Sequence, residues 1–69
     1  MPLTLAVIGE ENIIKRIGGS DEVRAHLQNL GFVSGAVVTV VSSMAGNLIV
    51  RVKDARIAVS KEMASKIMI

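Results

Sequence analysis

The sequence predicts a small, mainly β protein: five short strands closing into a barrel, with one short α-helix between the first two strands. Three observations carry that prediction. The run Ala36 to Ser43 is rich in β-branched Val, and Leu48, Val50 and Val52 then alternate with Ile49, Arg51 and Lys53, the period of a half-buried strand. Between Ser20 and Gly31, the residues Val23, Leu27 and Leu30 recur at i, i+4 and i+7, the apolar stripe of a helix. Short turn segments separate these runs, and closing such strands into a barrel removes the bare edges that would template aggregation.

Each element has its own local reason. Gly9-Glu10-Glu11 divides an apolar N-terminal stretch from Asn12–Ile17, which reads as the first strand and is stopped by Gly18-Gly19. Its phase is awkward, because Ile13 and Ile17 share a face with Lys15 while Ile14 opposes them; a bulge is the expected remedy. Ser20 is placed to cap the helix, since its hydroxyl can accept from a free first-turn amide, and Asp21 and Glu22 suit the positive end of the helix dipole. Gly31 can take the left-handed conformation that ends the helix, and Phe32 then folds back on Leu27. After the Val-rich strand, Met44-Ala45-Gly46-Asn47 reads as a turn, and Lys53-Asp54-Ala55 as a tight connection. Ile57 and Val59 point inward, with Arg56 and Ala58 outward. Ser60 caps a single helical turn, and Lys66–Ile69 is a last short strand that can pair within its own chain or with a second copy, which leaves a homodimer open.

Composition bounds the function. The chain has 69 residues, 51% hydrophobic, with no cysteine and one aromatic residue, Phe32. That length gives one domain, residues 1–69, which buries about 60% of the surface of its unfolded chain around an aliphatic core. Without cysteine there is no disulfide, no thiolate metal site and no thiol redox chemistry, which fits a cytoplasmic location. No apolar run approaches the roughly 20 residues of a membrane span, and no basic residue precedes an apolar stretch at the N-terminus, so no signal peptide is expected. The net charge of +2 is uneven. Arg51, Lys53, Arg56, Lys61 and Lys66 against Asp54 and Glu62 make the second half basic, while the first half is slightly acidic.

The order of these features resembles a known family. The likeness rests on Thr4-Leu5-Ala6 followed by Gly9-Glu10, on Ile14 to Gly19, and above all on Leu30-Gly31-Phe32-Val33-Ser34-Gly35. It continues through Val38-Thr39-Val40, Leu48-Ile49-Val50-Arg51-Val52 and Arg56-Ile57-Ala58-Val59 to Ala64 and Ile67-Met68-Ile69. In this layout the chain resembles the FeoA family, small accessory proteins of bacterial ferrous iron uptake. One departure is Ser34, where the family commonly has proline. The resemblance implies an SH3-like β-barrel, a non-enzymatic role, and work alongside FeoB, the membrane GTPase that carries ferrous iron. The same barrel is similar to the C-terminal domain of iron-dependent repressors. The alternative reading is therefore an accessory domain of such a transcriptional regulator, or a small nucleic-acid-binding barrel.

The residues favour protein binding over chemistry. Glu22 and His26 lie four apart on the helix, but two ligands are too few for a dedicated metal site, so no metal and no cofactor are expected. The serines fall at caps, turns and strand ends with no base beside them, so no catalytic residue is named. A single aromatic and a small net charge give little for nucleic acid to stack on or be drawn by. What remains is a contact surface. The expected one joins the turn Val33, Ser34 and Gly35 to the outward strand residues Ile49, Arg51 and Lys53, an aliphatic anchor bracketed by cations.

Overall fold

The computed structural model describes residues 1–69. A 3-10 turn at Leu3–Leu5 is followed by β1 (Glu11–Ile13), β2 (Arg16–Ile17), α1 (Asp21–Asn29), β3 (Val37–Met44), β4 (Asn47–Val52), β5 (Ala55–Ser60), α2 (Lys61–Ala64) and β6 (Ile67–Met68). The strands form two antiparallel sheets, one ordered β1-β3-β4-β5 and one pairing β2 with β6. The fold is mainly β, with its longer helix between strands, as the sequence predicts.

The first strand needs correction. The chain does not run as one strand with a bulge from Asn12 to Ile17; it breaks at Ile14-Lys15 and passes from one sheet to the other. The backbone at the break is held from both sides. The Ile14 N–H donates to Ala36 O at 2.9 Å, Ile14 O accepts from the Gly35 N–H at 2.7 Å, and the Lys15 N–H donates to Met68 O at 2.7 Å. The break settles the awkward phase: Ile14 is fully buried while Ile13 is left 61% exposed. Counted as one strand bent across two sheets, β1 and β2 restore the predicted five, with α1 after the first.

The ends of α1 are those the sequence signals. Ser20 Oγ accepts from the Val23 N–H at 3.3 Å, and Arg24 pairs with Asp21 in the first turn. At the other end the Gly31 N–H donates to Gln28 O and the Phe32 N–H to Leu27 O, both at 3.0 Å, with Gly31 at φ +105°. This double bond pattern closes the helix and places Phe32 over Leu27; both are fully buried. Val38 and Val40 of β3, Leu48, Val50 and Val52 of β4, and Val59 of β5 complete one face of the core. Each such side chain contributes about 1.5–3 kcal/mol by leaving water.

Both hairpins are shorter than the sequence suggests. Met44 pairs with Asn47 around Ala45-Gly46, and Val52 pairs with Ala55 around Lys53-Asp54, so Ala55 belongs to β5 and not to the connection. All four loop residues have positive φ: 44° and 86° in the first turn, 49° and 63° in the second. That is the two-residue geometry whose twist matches antiparallel strands. In β3 the register shifts between Val40 and Ser42, leaving Val41 as a bulge. At the C-terminus Ser60 caps α2, and β6 is shorter than the predicted Lys66–Ile69 strand and pairs with β2 of its own chain. The Ile69 N–H donates to Met1 O at 2.8 Å, and the Met1 amino group to Ile69 O at 3.0 Å.

Candidate protein-binding surface

The core side chains of β3 and β4 turn inward, so their neighbours make the outer face of the four-stranded sheet. Register then sets who stands beside whom. Glu11 of β1 pairs with Thr39 of β3, Thr39 with Arg51 of β4, and Arg51 with Arg56 of β5, a single polar row across the sheet. On one side of it Ile13 faces Val37, both exposed; on the other Ser42, Ile49 and Ala58 form a parallel row. A shallow depression opens on this face between Glu11, Ala36, Val37, Thr39, Arg51, Lys53 and Asp54. It continues toward Gly9 and Val41 along Glu11, Thr39 and Arg51.

The residues expected to form the contact surface are only partly brought together. Arg51 and Lys53 are exposed and share the wall of the depression. Lys53 sits in the hairpin turn, and its stem runs past the helix end: a Cβ built on Gly31 would lie 3.7 Å from Lys53 Cδ. Ile49 lies on the same outer face but is half-buried and outside the depression. Val33, Ser34 and Gly35 stand at the margin, and Ala36, the next residue, is the one that lines the depression.

The turn is also occupied with structural work. The Ala36 N–H donates to Val33 O at 3.0 Å with Gly35 at φ +90°, a type II turn. Ser34 Oγ donates to Lys15 O at 2.8 Å, so the hydroxyl that stands in place of proline ties the turn to the strand break.

Sequence reasoning missed Glu11, Thr39 and Arg56 as members of this face. Alternation turns Arg56 outward but does not say which strand a residue lies beside, and Glu11, read as part of the segment ahead of the first strand, is in fact the first residue of β1. Two cations, Arg51 and Lys53, and two carboxylates, Glu11 and Asp54, line the depression, and Arg56 stands beside Arg51. The ion pair of the structure joins Arg24 to Asp21 on α1, and no salt bridge links Glu11 or Asp54 to Arg51, Lys53 or Arg56. Arg51 and Arg56 are directly opposite each other, a like-charge pair that costs stability. Glu22 and His26 are both exposed on α1, and no group of three His, Asp or Glu side chains converges on a metal-sized site. No helix is long and apolar enough to cross a membrane. The face carries cations, carboxylates, a hydroxyl and apolar flanks.

A short, mainly β domain with its longer helix α1 between strands has the SH3-like fold. The family model described as the FeoA domain matches residues 1–69, and the chain belongs to the FeoA family, non-enzymatic accessory proteins of ferrous iron transport. It is 32% identical over 68 residues to a candidate Fe(2+) transport protein A of Methanocaldococcus jannaschii, covering 99% of this chain and 83% of that protein. It superposes on the crystal structure of an iron uptake regulatory protein, FeoA, with a TM-score of 0.89 and 28% identity, covering 97% of this chain and 91% of that one. The zinc complex of Stenotrophomonas maltophilia FeoA, described as a procaryotic SH3 domain protein, matches with a TM-score of 0.86 over 99% of this chain and 87% of that one. At 23% identity that likeness is one of fold.

Proposed function

We propose that this protein is a cytoplasmic accessory of ferrous iron transport that regulates or assembles a FeoB-like membrane GTPase by direct protein contact, acting as a single module over residues 1–69. Its contact surface is the outer sheet face, with Arg51 and Lys53 at the centre and Ile49 and the Val33–Gly35 turn at the margins. The observation that carries the reading is the coincidence of whole-chain FeoA membership with a face whose cations have no partner in the chain. Membership supplies iron transport; the unpaired cations and flanking aliphatics supply a means of contact.

The test is binding to the transporter's isolated cytosolic region, measured by calorimetry for the parent protein, Ile49→Asp and Arg51→Glu. Both variants keep the circular dichroism of the parent, since neither position belongs to the buried core. Binding falls at least tenfold in each. Parent-like affinity in both folded variants moves the contact off this face, and no binding by the parent protein ends the reading itself.

A further inference from the structure

We propose that the open edge of β5 takes an extended acidic segment of a partner protein as an added strand, bonded to the main chain at Arg56 and Ala58, with carboxylates set against Arg56 and Arg51. The inference deepens the proposed function by naming the chemistry of the partner segment, and rests on it only for the partner being a protein.

The edge comes first. In the order β1-β3-β4-β5, β5 is a terminal strand and pairs with β4 alone. Its hydrogen-bond phase follows from the turn. A two-residue loop makes Val52 and Ala55 a bonded pair, and alternation then makes Arg51–Arg56 and Ile49–Ala58 non-bonded pairs. The N–H and C=O groups of Arg56 and Ala58 therefore point away from β4. No turn, loop or side-chain bond takes them up, and both residues are exposed.

Sheet edges are usually blunted by proline, a bulge, an inward-pointing charge or charged side chains along the edge. β5 has only the last: its sequence is Ala-Arg-Ile-Ala-Val-Ser, its pairing with β4 is regular, and its one charge, Arg56 on the outer face, deters a cationic strand but not an acidic one. Strand addition is a general mode of recognition in which main-chain bonds give affinity and alternate side chains give specificity.

The charge requirement comes from the row Thr39–Arg51–Arg56. Non-bonded pairs are the closer kind, so the two arginines are held together at cost. A strand added beside β5 sets one side chain directly opposite Arg56 on the same outer face, about 5 Å away at Cβ. Arg51 is one strand spacing of about 4.8 Å further on, within reach of a long side chain. A Glu or Asp at that place relieves the repulsion; a Lys or Arg would add a third cation to the row. The same argument disfavours a second copy of this chain, which would bring its own Arg56 to the shared edge. A phosphate backbone meets the cations but has no amide ladder to satisfy Arg56 and Ala58.

The probe is a blocked synthetic octapeptide alternating Glu and Thr, titrated into 15N-labelled protein at low salt. Two control peptides replace Glu with Lys, or carry N-methyl groups on alternate amides. The expected result is localised shifts at Arg56 and Ala58, slowed hydrogen exchange of those two amides, and at least tenfold weaker binding by both control peptides. Arg56→Glu and Ala58→Pro each lose the interaction at least tenfold. The proline removes only an edge-facing N–H, so the fold is kept and is checked by the remaining amide spectrum. Shifts without protection of Arg56 and Ala58, equal binding of the N-methylated peptide, equal binding of the Lys peptide, no binding at millimolar peptide, or self-pairing of the parent protein through β5 would each overturn the inference. If the peptide docks but the transporter's cytosolic region does not bind, the proposed function falls and the edge site stands. If that region binds and the peptide does not, the edge site alone falls.

Discussion

The corner from Leu30 to Ala36 and the hairpin from Arg51 to Arg56 each reverse the chain within a few residues, but they stand in opposite energetic condition. In the corner, the residues at φ +105° and +90° are glycines, Gly31 and Gly35, and the amides of Gly31, Phe32, Gly35 and Ala36 all have partners. In the hairpin, the two left-handed positions are held by Lys53 and Asp54, side chains that pay for that conformation where Asn-Gly would be preferred. The flanking pair is Arg against Arg, and the strand beyond has an unpaired edge. One region follows every local rule, and the other breaks three within six residues. Breaches of this kind gather where a surface is kept for something other than stability.

The comparison predicts the sign of substitutions: losses in the corner and gains in the hairpin. The largest effect is expected for Gly31→Val, which puts a β-branched side chain at φ +105° and should cost at least about 1–2 kcal/mol. In a domain of this size each kcal/mol lowers the melting temperature by about 4–8 °C, so calorimetry resolves it easily. A parent-like melt would mean the helix does not end there. Asp54→Gly should go the other way, raising stability by about 0.5–1 kcal/mol in urea unfolding, because glycine occupies the left-handed region freely. A loss would show that Asp54 makes an interaction which offsets its strain.

Ser34→Ala removes the bond to Lys15 O and should cost about 0.5–1 kcal/mol. Ser34→Pro loses the same bond but fits the second position of a type II turn, recovering about 0.4–1 kcal/mol, so it should unfold at a higher urea concentration than Ser34→Ala. The smallest effect belongs to Arg56→Thr. Ending the like-charge pair should gain about 0.2–1 kcal/mol, and the gain should shrink as salt is added. A gain that ignores salt would place its origin in packing and not in charge.

The same two regions show what was legible in the sequence. The corner could be read because its signals are local: Ser20 and Gly31 bracket an apolar stripe, and the residue after Gly31 is the sole aromatic. The break at Ile14-Lys15 could not, because its causes lie elsewhere in the chain, in Gly35, Ala36 and Met68. Alternation gave the faces of β4 and β5, and so Arg51 and Lys53 as outward residues. It could not give their neighbours. A connection of Lys53-Asp54-Ala55 differs from the true two-residue turn by one position, yet only the shorter turn sets Arg56 opposite Arg51. No glycine marks that turn, so the sequence places the connection without fixing its two-residue length. The half-burial of Ile49 was hidden for a related reason, since its neighbours Ser42 and Ala58 follow from the bulge and the register together.

The bonds between Met1 and Ile69 join positions 68 apart in sequence, and β6 meets β2 beside them. The meander β3–β4–β5 is built from neighbours joined by two-residue loops and can zip early, whereas this seam must bear the entropy of closing nearly the whole chain. The seam is thus expected to form after the folding barrier, and its loosening to be the first step of unfolding. A circular permutant that links residue 69 to residue 1 and opens between Ala45 and Gly46 would make the seam local and the first hairpin distant. Stopped-flow refolding of that permutant would then show the order of assembly exchanged, with the sheet of β2 and β6 formed first and the meander closed last.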